Sequence, residues 1–219
     1  KANAASEQQR VEYNFYVDDG RVRIVERRRG SPIDKLVAEM MIYANAEWGR
    51  ALREAGFPGA FRAQTGGVAR MTSVPAPHDG LGVQQYAWSS SPLRRYVDLI
   101  NQRQLLALFA QAPAVYAQNS PELQAALREF ELAYESYAEF QRMMERYWCL
   151  RWIEQEQAAE LTATVIRDNL VRFDRLPLTA RVPSLHDVAA GENVRIALSR
   201  LDFWELSLHA EFLSLNPQQ

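Results

Sequence analysis

Apolar residues recur at helical spacing in three stretches of the chain, and each stretch follows a Ser-Pro pair. The serine side chain can accept hydrogen bonds from first-turn N–H groups, and proline at the first helical position loses a donor that has no partner within the helix. The pattern therefore predicts three helices, each with an apolar face to bury. The expected starts are Ser31 and Pro32, Ser91 and Pro92, and Ser120 and Pro121.

Two other stretches alternate between apolar and polar residues. Residues 11–29 alternate on both sides of Asp18, Asp19 and Gly20, which predicts a β-hairpin with an Asp-Gly turn. From about Glu160 the pattern predicts a small closed barrel of five short strands. The expected strands are 161–166, 169–173, 178–182, 193–198 and 204–208.

The pattern as a whole predicts an α+β fold, in which a helical and hairpin region precedes an all-β barrel. We expect the first domain to cover residues 1–158 and the second to cover 159–219. The stretch from residue 57 to 74 is rich in glycine and small polar residues and is expected to be a connecting region. The apolar residues of the long third helix, up to Trp148, are expected to be core.

Composition narrows the function classes. The 219 residues carry a net charge of -2, so any nucleic-acid site must be a local concentration of arginine. One cysteine, Cys149, excludes an internal disulfide and favours a reducing cytoplasm. The sequence has no apolar run of membrane-spanning length, so no membrane partner is expected. The chain begins at Lys1 without an initiator methionine, and we expect it to be a fragment. The arginines cluster at Arg21, Arg23, Arg27, Arg28 and Arg29, and again at Arg94 and Arg95.

Arg94 and Arg95 fall in the first turn of the second predicted helix. The helix dipole is positive there, and it disfavours cations by ~0.3–1 kcal/mol each. An anion would resolve the conflict, because free N–H groups and two guanidinium groups together suit a phosphate. The alternative is a pair of solvated arginines on an exposed face. The residues alone leave both interpretations open.

His78 and Glu145 are further candidates. The three histidines, at positions 78, 186 and 209, have no metal-type spacing, so a hydrogen-bonded structural role is favoured for His78 over a ligand role. Glu145 lies on the third predicted helix, where it could be an exposed partner for an arginine one turn away.

The segment around Arg94 also resembles a known family. Ser91, Pro92, Leu93, Arg94, Arg95, Tyr96, Asp98 and Leu99, with Arg103 and the upstream His78, Gly80, Leu81, Gly82 and Tyr86, are similar to the C-terminal signature of RNB-domain exoribonucleases, the ribonuclease II and ribonuclease R family. Ser90, Leu93 and Gln102 stand where the family usually has Thr, Ile and His. Glu39 to Asn45, Gly56, Pro58 and Arg62 resemble the preceding segment, so the resemblance covers about two-thirds of the chain.

The resemblance implies the C-terminal part of an RNB domain, which hydrolyses single-stranded RNA from its 3′ end to nucleoside 5′-monophosphates. It assigns Arg94 to the scissile phosphate and Glu145 to the neighbourhood of the active centre. It further implies RNA contacts for Arg95, Tyr96, Ser91 and His78. The family holds Mg²⁺ through an aspartate cluster that this chain lacks, since Asp18 and Asp19 fit the hairpin turn better than that motif.

The barrel stretch resembles the OB-fold RNA-binding domain that follows the RNB domain in this family. Gly191, Val194, Ile196 and Asp202 carry that similarity, and Phe173 is the expected stacking aromatic among arginines. The implied partners are single-stranded RNA and an N-terminal portion of the same protein that supplies the aspartates. The alternative is a non-catalytic RNA-binding or assembly module that retains the fold.

Overall fold

The computed structural model describes residues 11–28 and 30–216, with an α+β fold that matches the predicted class. Arg29, one of the clustered arginines, lies outside the described residues. No helix in this part of the chain is both long and apolar enough to cross a membrane. The elements are β1 (Val11–Asp18), β2 (Arg21–Arg28), α1 (Pro32–Glu54), β3 (Phe61–Thr65), β4 (Val68–Thr72), α2 (Tyr96–Phe109), α3 (Pro121–Gln155), β5 (Glu160–Arg167), β6 (Leu170–Phe173), β7 (Thr179–Arg181), β8 (Asn193–Asp202) and β9 (Ser207–Leu215).

The described residues form two compact units, which are 30–137 and 11–28 together with 138–216. Helix α3 contributes its first part to one unit and its last part to the other. The predicted division into domains at residue 158 stays a prediction.

Two of the three predicted helix starts are confirmed, and one is wrong. The Ser31 hydroxyl accepts from the Asp34 N–H at 3.2 Å, and the Ser120 hydroxyl accepts from the Leu123 N–H at 3.2 Å. Helix α2, in contrast, begins at Tyr96 instead of Pro92. Residues 92–94 form a turn, and Arg95 has an extended backbone with φ −132° and ψ 114°.

The core of the first unit surrounds α2. Val97, Ile100 and Leu105 of α2 are buried, as the helical pattern predicts. The same pattern is wrong at its ends, because Leu93 is fully exposed and Phe109 is 67% exposed. Buried partners in this unit come from α1, β3, β4 and α3 and from the loops that precede β3 and α2, namely Leu52, Ala60, Phe61, Met71, Ala87, Leu123 and Leu127.

Three amide side chains of α2 fix the loops that pack on it. Asn101 accepts from the Ala60 N–H at 2.7 Å and donates to the carbonyls of Ala60 and Trp88. Gln102 donates to the Ser89 carbonyl at 2.8 Å. Gln104 is also fully buried, and it donates to the carbonyls of Pro58 and Tyr116 and accepts from the Tyr116 N–H.

The glycine-rich stretch, expected to be a connecting region, contains the hairpin β3–β4. Gly66 and Gly67 form its turn with φ 65° and 90°, values that favour glycine. Thr65 pairs with Val68 directly across this turn. The flanking residues form strands because Phe61, Ala63 and Met71 face the core.

The expectation that α1 buries its whole apolar face is wrong for its first half. Leu52 is fully buried, whereas Ile33 is 63% exposed and Met40 is 63% exposed. A similar difference occurs on α3, where Leu123 is buried but Tyr137 is 64% exposed. Helical periodicity shows which face of a helix is apolar, but it does not show what covers that face.

The second unit is a curled antiparallel sheet with strand order β7-β6-β5-β8-β9. The end of α3 packs on it through Cys149 and Ile153, and the hairpin β1–β2 adds Phe15 and Ile24. The turn of that hairpin is confirmed, because Asp19 and Gly20 have φ 50° and 78°. The core residues of the sheet are Ala163, Val165, Val171, Phe173, Leu176, Leu178, Ala180, Val182, Leu185, Val194, Ile196 and Ala210.

Two details of the predicted barrel are wrong. The last strand begins at Ser207 and not at residue 204, because the Asp202 carboxylate accepts from the N–H groups of Trp204 and Glu205 at 2.9 Å and makes a turn there. Phe173 is buried in the sheet core with 1% exposure, so its ring is not available for base stacking. Trp204 is the most exposed aromatic among the described residues of this unit, at 96%.

Candidate nucleic-acid site

The candidate site is built on the turn formed by residues 91–95, which we call the arginine turn. The Ser91 carbonyl accepts from the N–H groups of Arg94 at 3.2 Å and Arg95 at 3.1 Å. The Ser91 N–H in turn donates to the buried Asp98 carboxylate at 3.3 Å. The predicted conflict of two cations in the first helical turn is therefore wrong in its geometry, because both arginines precede the helix.

Arg95 is bound within the protein. Its Nε and Nη2 donate to the two Asp98 oxygens at 2.6 Å and 2.8 Å, and its side chain is only 12% exposed. Its guanidinium carbon also lies 4.1 Å from the centroid of the Trp88 ring. Asp98, in the first turn of α2, thus neutralises the charge of Arg95. This arrangement favours a role for Arg95 in positioning the arginine turn. The RNA contact expected for Arg95 stays a prediction.

The Arg94 side chain has none of these internal contacts. It is exposed, and the structure gives its guanidinium no hydrogen bond or ion pair with any described residue. Its neighbour Leu93 is fully exposed as well. The arginine turn therefore presents one fixed cation internally and one unpaired cation to solvent, and a turn of this kind can receive an anion such as a phosphate.

Tyr96, the first residue of α2, completes this part of the site. Tyr96 is 50% exposed, and the pKa of its phenol is raised first by a hydrogen bond with Tyr116. Arg103 donates to the Tyr116 hydroxyl at 3.5 Å and partly opposes that shift. The Tyr96 hydroxyl is consequently protonated at neutral pH and can act as a hydrogen-bond donor.

His78 lies in a buried position near Tyr86. It is 7% exposed, its backbone N–H donates to the Val83 carbonyl at 2.9 Å, and its ring meets the Tyr86 ring edge-on at 5.7 Å. Nδ1 is buried and has no hydrogen-bond partner in the described part of the chain. Burial and the charge of Arg62 lower the pKa of the imidazole, so the ring is neutral at pH 7.

The glycines beside His78 permit a close approach of two segments. The Gly80 N–H donates to the Gln64 side chain at 3.1 Å, and a Cβ on Gly80 would lie only 2.3 Å from the same oxygen. Gln64 also donates to the Gly67 carbonyl at 3.0 Å. The hairpin β3–β4 is thereby fixed against residues 78–83, which we call the His78 loop.

Arg62 and Trp88 are members of the site that sequence reasoning did not assign to it. The Arg62 guanidinium carbon lies 4.6 Å from the Trp88 ring centroid, and the ring also contacts Phe130 and Tyr134. Arg62 is half-buried on β3, and its backbone N–H donates to the Tyr86 carbonyl at 2.8 Å. Its guanidinium makes no hydrogen bond or ion pair with a described residue. Arg62 could have been recognised as a site residue only if the sequence had predicted the hairpin β3–β4. The sequence predicts a connecting region there instead.

Glu145 belongs to the second unit, on α3. It accepts from Gln141 at 3.1 Å, so the contact one turn away is with a glutamine and not with an arginine. Burial, together with the Glu145 charge, raises the pKa of Cys149 to about 12. Within the described residues, no group of three or more His, Cys, Asp and Glu side chains could hold a metal ion.

Comparison with known proteins adds the family. Residues 63–111, which contain β3, the His78 loop, the arginine turn and α2, match the RNB domain. This stretch is therefore similar to part of an RNB domain. Exoribonuclease 2 of Serratia proteamaculans is 42% identical over 67 residues, which are 31% of this chain and 10% of that protein. An uncharacterized ribonuclease of Synechocystis is 29% identical over 145 residues, covering 54% of this chain and 22% of that protein.

Solved structures share the fold of this chain over 93% of its length. A Dss1 exoribonuclease active-site mutant from Candida glabrata has a TM-score of 0.79 at 18% identity, covering 93% of this chain and 32% of that one. Mycoplasma genitalium RNase R in its apo form has a TM-score of 0.75 at 14% identity, covering 93% of this chain and 45% of that one. At these identities the likeness shows the fold. The chain spans about a tenth of the length of Exoribonuclease 2.

Proposed function

We propose that this chain is part of an exoribonuclease that hydrolyses single-stranded RNA from its 3′ end and releases nucleoside 5′-monophosphates. The observation that carries the proposal is the RNB match over residues 63–111, because the unpaired Arg94 lies within it. The relatives named Exoribonuclease 2 and the RNase R structures support the same reaction class. RNase R has also been solved with single-stranded RNA, which supports that substrate.

The proposed role of Arg94 is to hold the scissile phosphate. Negative charge builds up on the phosphoryl oxygens during hydrolysis, and a preorganised guanidinium stabilises that charge. The neighbouring Arg95 and Asp98 fix the turn, so Arg94 starts from a defined backbone position. Tyr96 can donate a hydrogen bond beside it.

The Mg²⁺ of the proposed reaction does not fit the residues described here, because they contain no metal-type cluster. We propose that an N-terminal portion of the same protein supplies the aspartate ligands. The metal would activate the attacking water and stabilise the leaving oxygen. We also propose a cytoplasmic location, since the chain has one cysteine and it is buried and free.

The exposed apolar residues in the first half of α1 support the proposal that an N-terminal portion of the protein packs on this chain. Ile33, Leu36, Val37, Met40 and Tyr43 are each between 49% and 71% exposed on consecutive turns. Contiguous apolar surface of this kind is rare on a free surface and typical of an interface. We propose that the N-terminal portion of the RNB domain covers this face of the helix.

The test uses the complete protein with its N-terminal portion, and this chain alone as the comparison. A 5′-labelled single-stranded RNA incubated with Mg²⁺ should shorten stepwise from its 3′ end, and chromatography should detect 5′-monophosphates. This chain alone should give neither result, and a circular RNA should resist. If the complete protein binds the RNA but leaves it intact with Mg²⁺ and with Mn²⁺, the chain belongs instead to a binding module that retains the fold.

A further inference from the structure

Two guanidinium groups share one aromatic ring in the first unit. The Arg62 and Arg95 carbons lie 4.6 Å and 4.1 Å from the Trp88 centroid, and we call these three residues the tryptophan cluster. A tryptophan face attracts a cation, but two cations close to one ring repel each other. Asp98 removes this repulsion by pairing with Arg95. The cluster therefore retains one unbalanced positive charge, and Arg62 carries it.

No described residue forms an ion pair with the Arg62 guanidinium, and the Glu131 carboxylate in the same unit accepts from the N–H of the cross-strand neighbour Met71. His78, which neighbours Arg62, is neutral, since burial and the Arg62 charge itself lower the pKa of the imidazole. Gln64, two residues along the same strand, is occupied by its contacts with Gly67 and Gly80. Among the described residues, none gives the Arg62 guanidinium an ion pair or a hydrogen bond. A half-buried cation of this kind is costly unless a counter-ion reaches it.

The geometry suits a phosphate as that counter-ion. The Trp88 ring restricts the orientation of the guanidinium plane, and Phe130 and Tyr134 support the ring at 6.2 Å between centroids. The Arg62 guanidinium carbon lies over the ring and its N–H groups have no protein partner among the described residues, so they can pair with two oxygens of a phosphate. Arg70 on the neighbouring strand has the same charge but is exposed, and no aromatic ring among the described residues lies against its guanidinium.

We infer that Arg62 binds a backbone phosphate of the RNA strand, a second one beside the phosphate proposed for Arg94. This inference rests on the proposed function, because it takes the RNA as given. In this arrangement Arg62 contacts the RNA phosphate directly. Trp88 and Arg95 do not contact the phosphate, and their role is to position Arg62. A carboxylate from the N-terminal portion of the protein is the competing counter-ion.

The experiment measures binding of the complete protein to a fluorescein-labelled single-stranded RNA without divalent metal. The affinity is followed over a series of salt concentrations for the native protein, Arg62→Met and the matched control Arg70→Met. Each phosphate contact on a single strand contributes about 0.7 to the slope of log K against log salt. Arg62→Met should reduce the slope by about 0.7 and weaken binding several-fold at low salt, whereas Arg70→Met should leave both unchanged.

A second measurement locates the contact. RNA strands with one neutral methylphosphonate linkage, moved along the strand, should reveal a position that weakens binding to the native protein. A methylphosphonate linkage at that position should not weaken the binding of RNA to the Arg62→Met variant. If Arg62→Met does not fold, the scan is run on Arg62→Lys, which keeps the charge and should retain only part of the penalty.

An unchanged salt slope in Arg62→Met, together with lower thermal stability of the complete protein, would overturn the inference in favour of the carboxylate. A methylphosphonate scan that is identical for the native and variant proteins would overturn it as well. If the native protein binds no RNA, the proposed function fails with it. If the native protein binds and only the Arg62 effects are missing, the proposed function stands without this inference.

Discussion

Asp98 receives both hydrogen bonds that Arg95 directs into the protein, at 2.6 Å and 2.8 Å, and Asp98 itself has no exposed surface. A buried pair of this kind is costly to break on one side, because the remaining charge has no partner. Asp98→Asn should therefore lower the free energy of unfolding by about 3–5 kcal/mol, as measured by urea denaturation. The surface pair of Glu47 and Arg50 provides the control, and Glu47→Gln should have a much smaller effect.

Replacement of Arg94 by lysine should lower turnover more than affinity. Lysine keeps the positive charge, so ground-state attraction of RNA remains, but it loses the two-pronged geometry that suits a phosphate in the transition state. Single-turnover kinetics of the complete protein should show a loss of at least about tenfold, with a change in Kd of less than about threefold. Arg70→Lys should match the native protein, and equal turnover in Arg94→Lys would remove Arg94 from the reaction.

The stability of the first unit should depend on pH through His78. Its folded-state pKa lies below the ordinary value of 6.5, so in the window beneath 6.5 the unfolded chain binds a proton that the folded chain does not. Stability should be complete above this window and should fall as the pH decreases through it. Thermal melts across that range would measure the effect, and NMR titration of the imidazole would assign it to His78.

Arg62→Met should weaken the same pH dependence. Removal of the nearby charge takes away the second cause of the lowered pKa and leaves burial as the first. The imidazole should then titrate at a higher pH than in the native protein. Arg70→Met should leave the His78 titration where it is, and an identical shift in both variants would argue against a direct effect of Arg62.

Cys149 should be unreactive in the folded protein. Burial and the Glu145 charge raise the pKa of its thiol to about 12, and the thiolate is the reactive form. At pH 8 the folded chain should react with a disulfide reagent at least about a hundredfold more slowly than the chain in denaturant. Rapid labelling of the native chain would contradict the buried position of this residue.

Local signals explain how much of the fold could be predicted. Ser31 and Ser120 cap their helices through contacts within three residues, and alternation identified most of the sheet in the second unit. The start of α2 was missed because Asp98, seven residues after Ser91, binds the Ser91 N–H and stabilises a turn. Asp202 displaced the start of β9 in the same way.

The site was predictable only in part. The sequence singled out Arg94 and Arg95 together as cations near a helix start, and only the family resemblance assigned Arg94 to the scissile phosphate. It did not indicate that Arg95 has an internal partner or that Arg62 lies over Trp88, since these contacts depend on β3 and on loop geometry. The exposed half of α1 was missed for a related reason, because an apolar pattern does not specify its covering partner.

The loops around the arginine turn are held by the amides of Asn101, Gln102 and Gln104, and these groups carry no charge. Their hydrogen bonds are therefore insensitive to ionic strength and have no proton to lose in the physiological pH range. The attraction of an RNA strand that we propose for Arg62 and Arg94 should depend strongly on salt. Salt should thus release the strand while the shape of the site is preserved, so the same protein should bind again when the salt is removed.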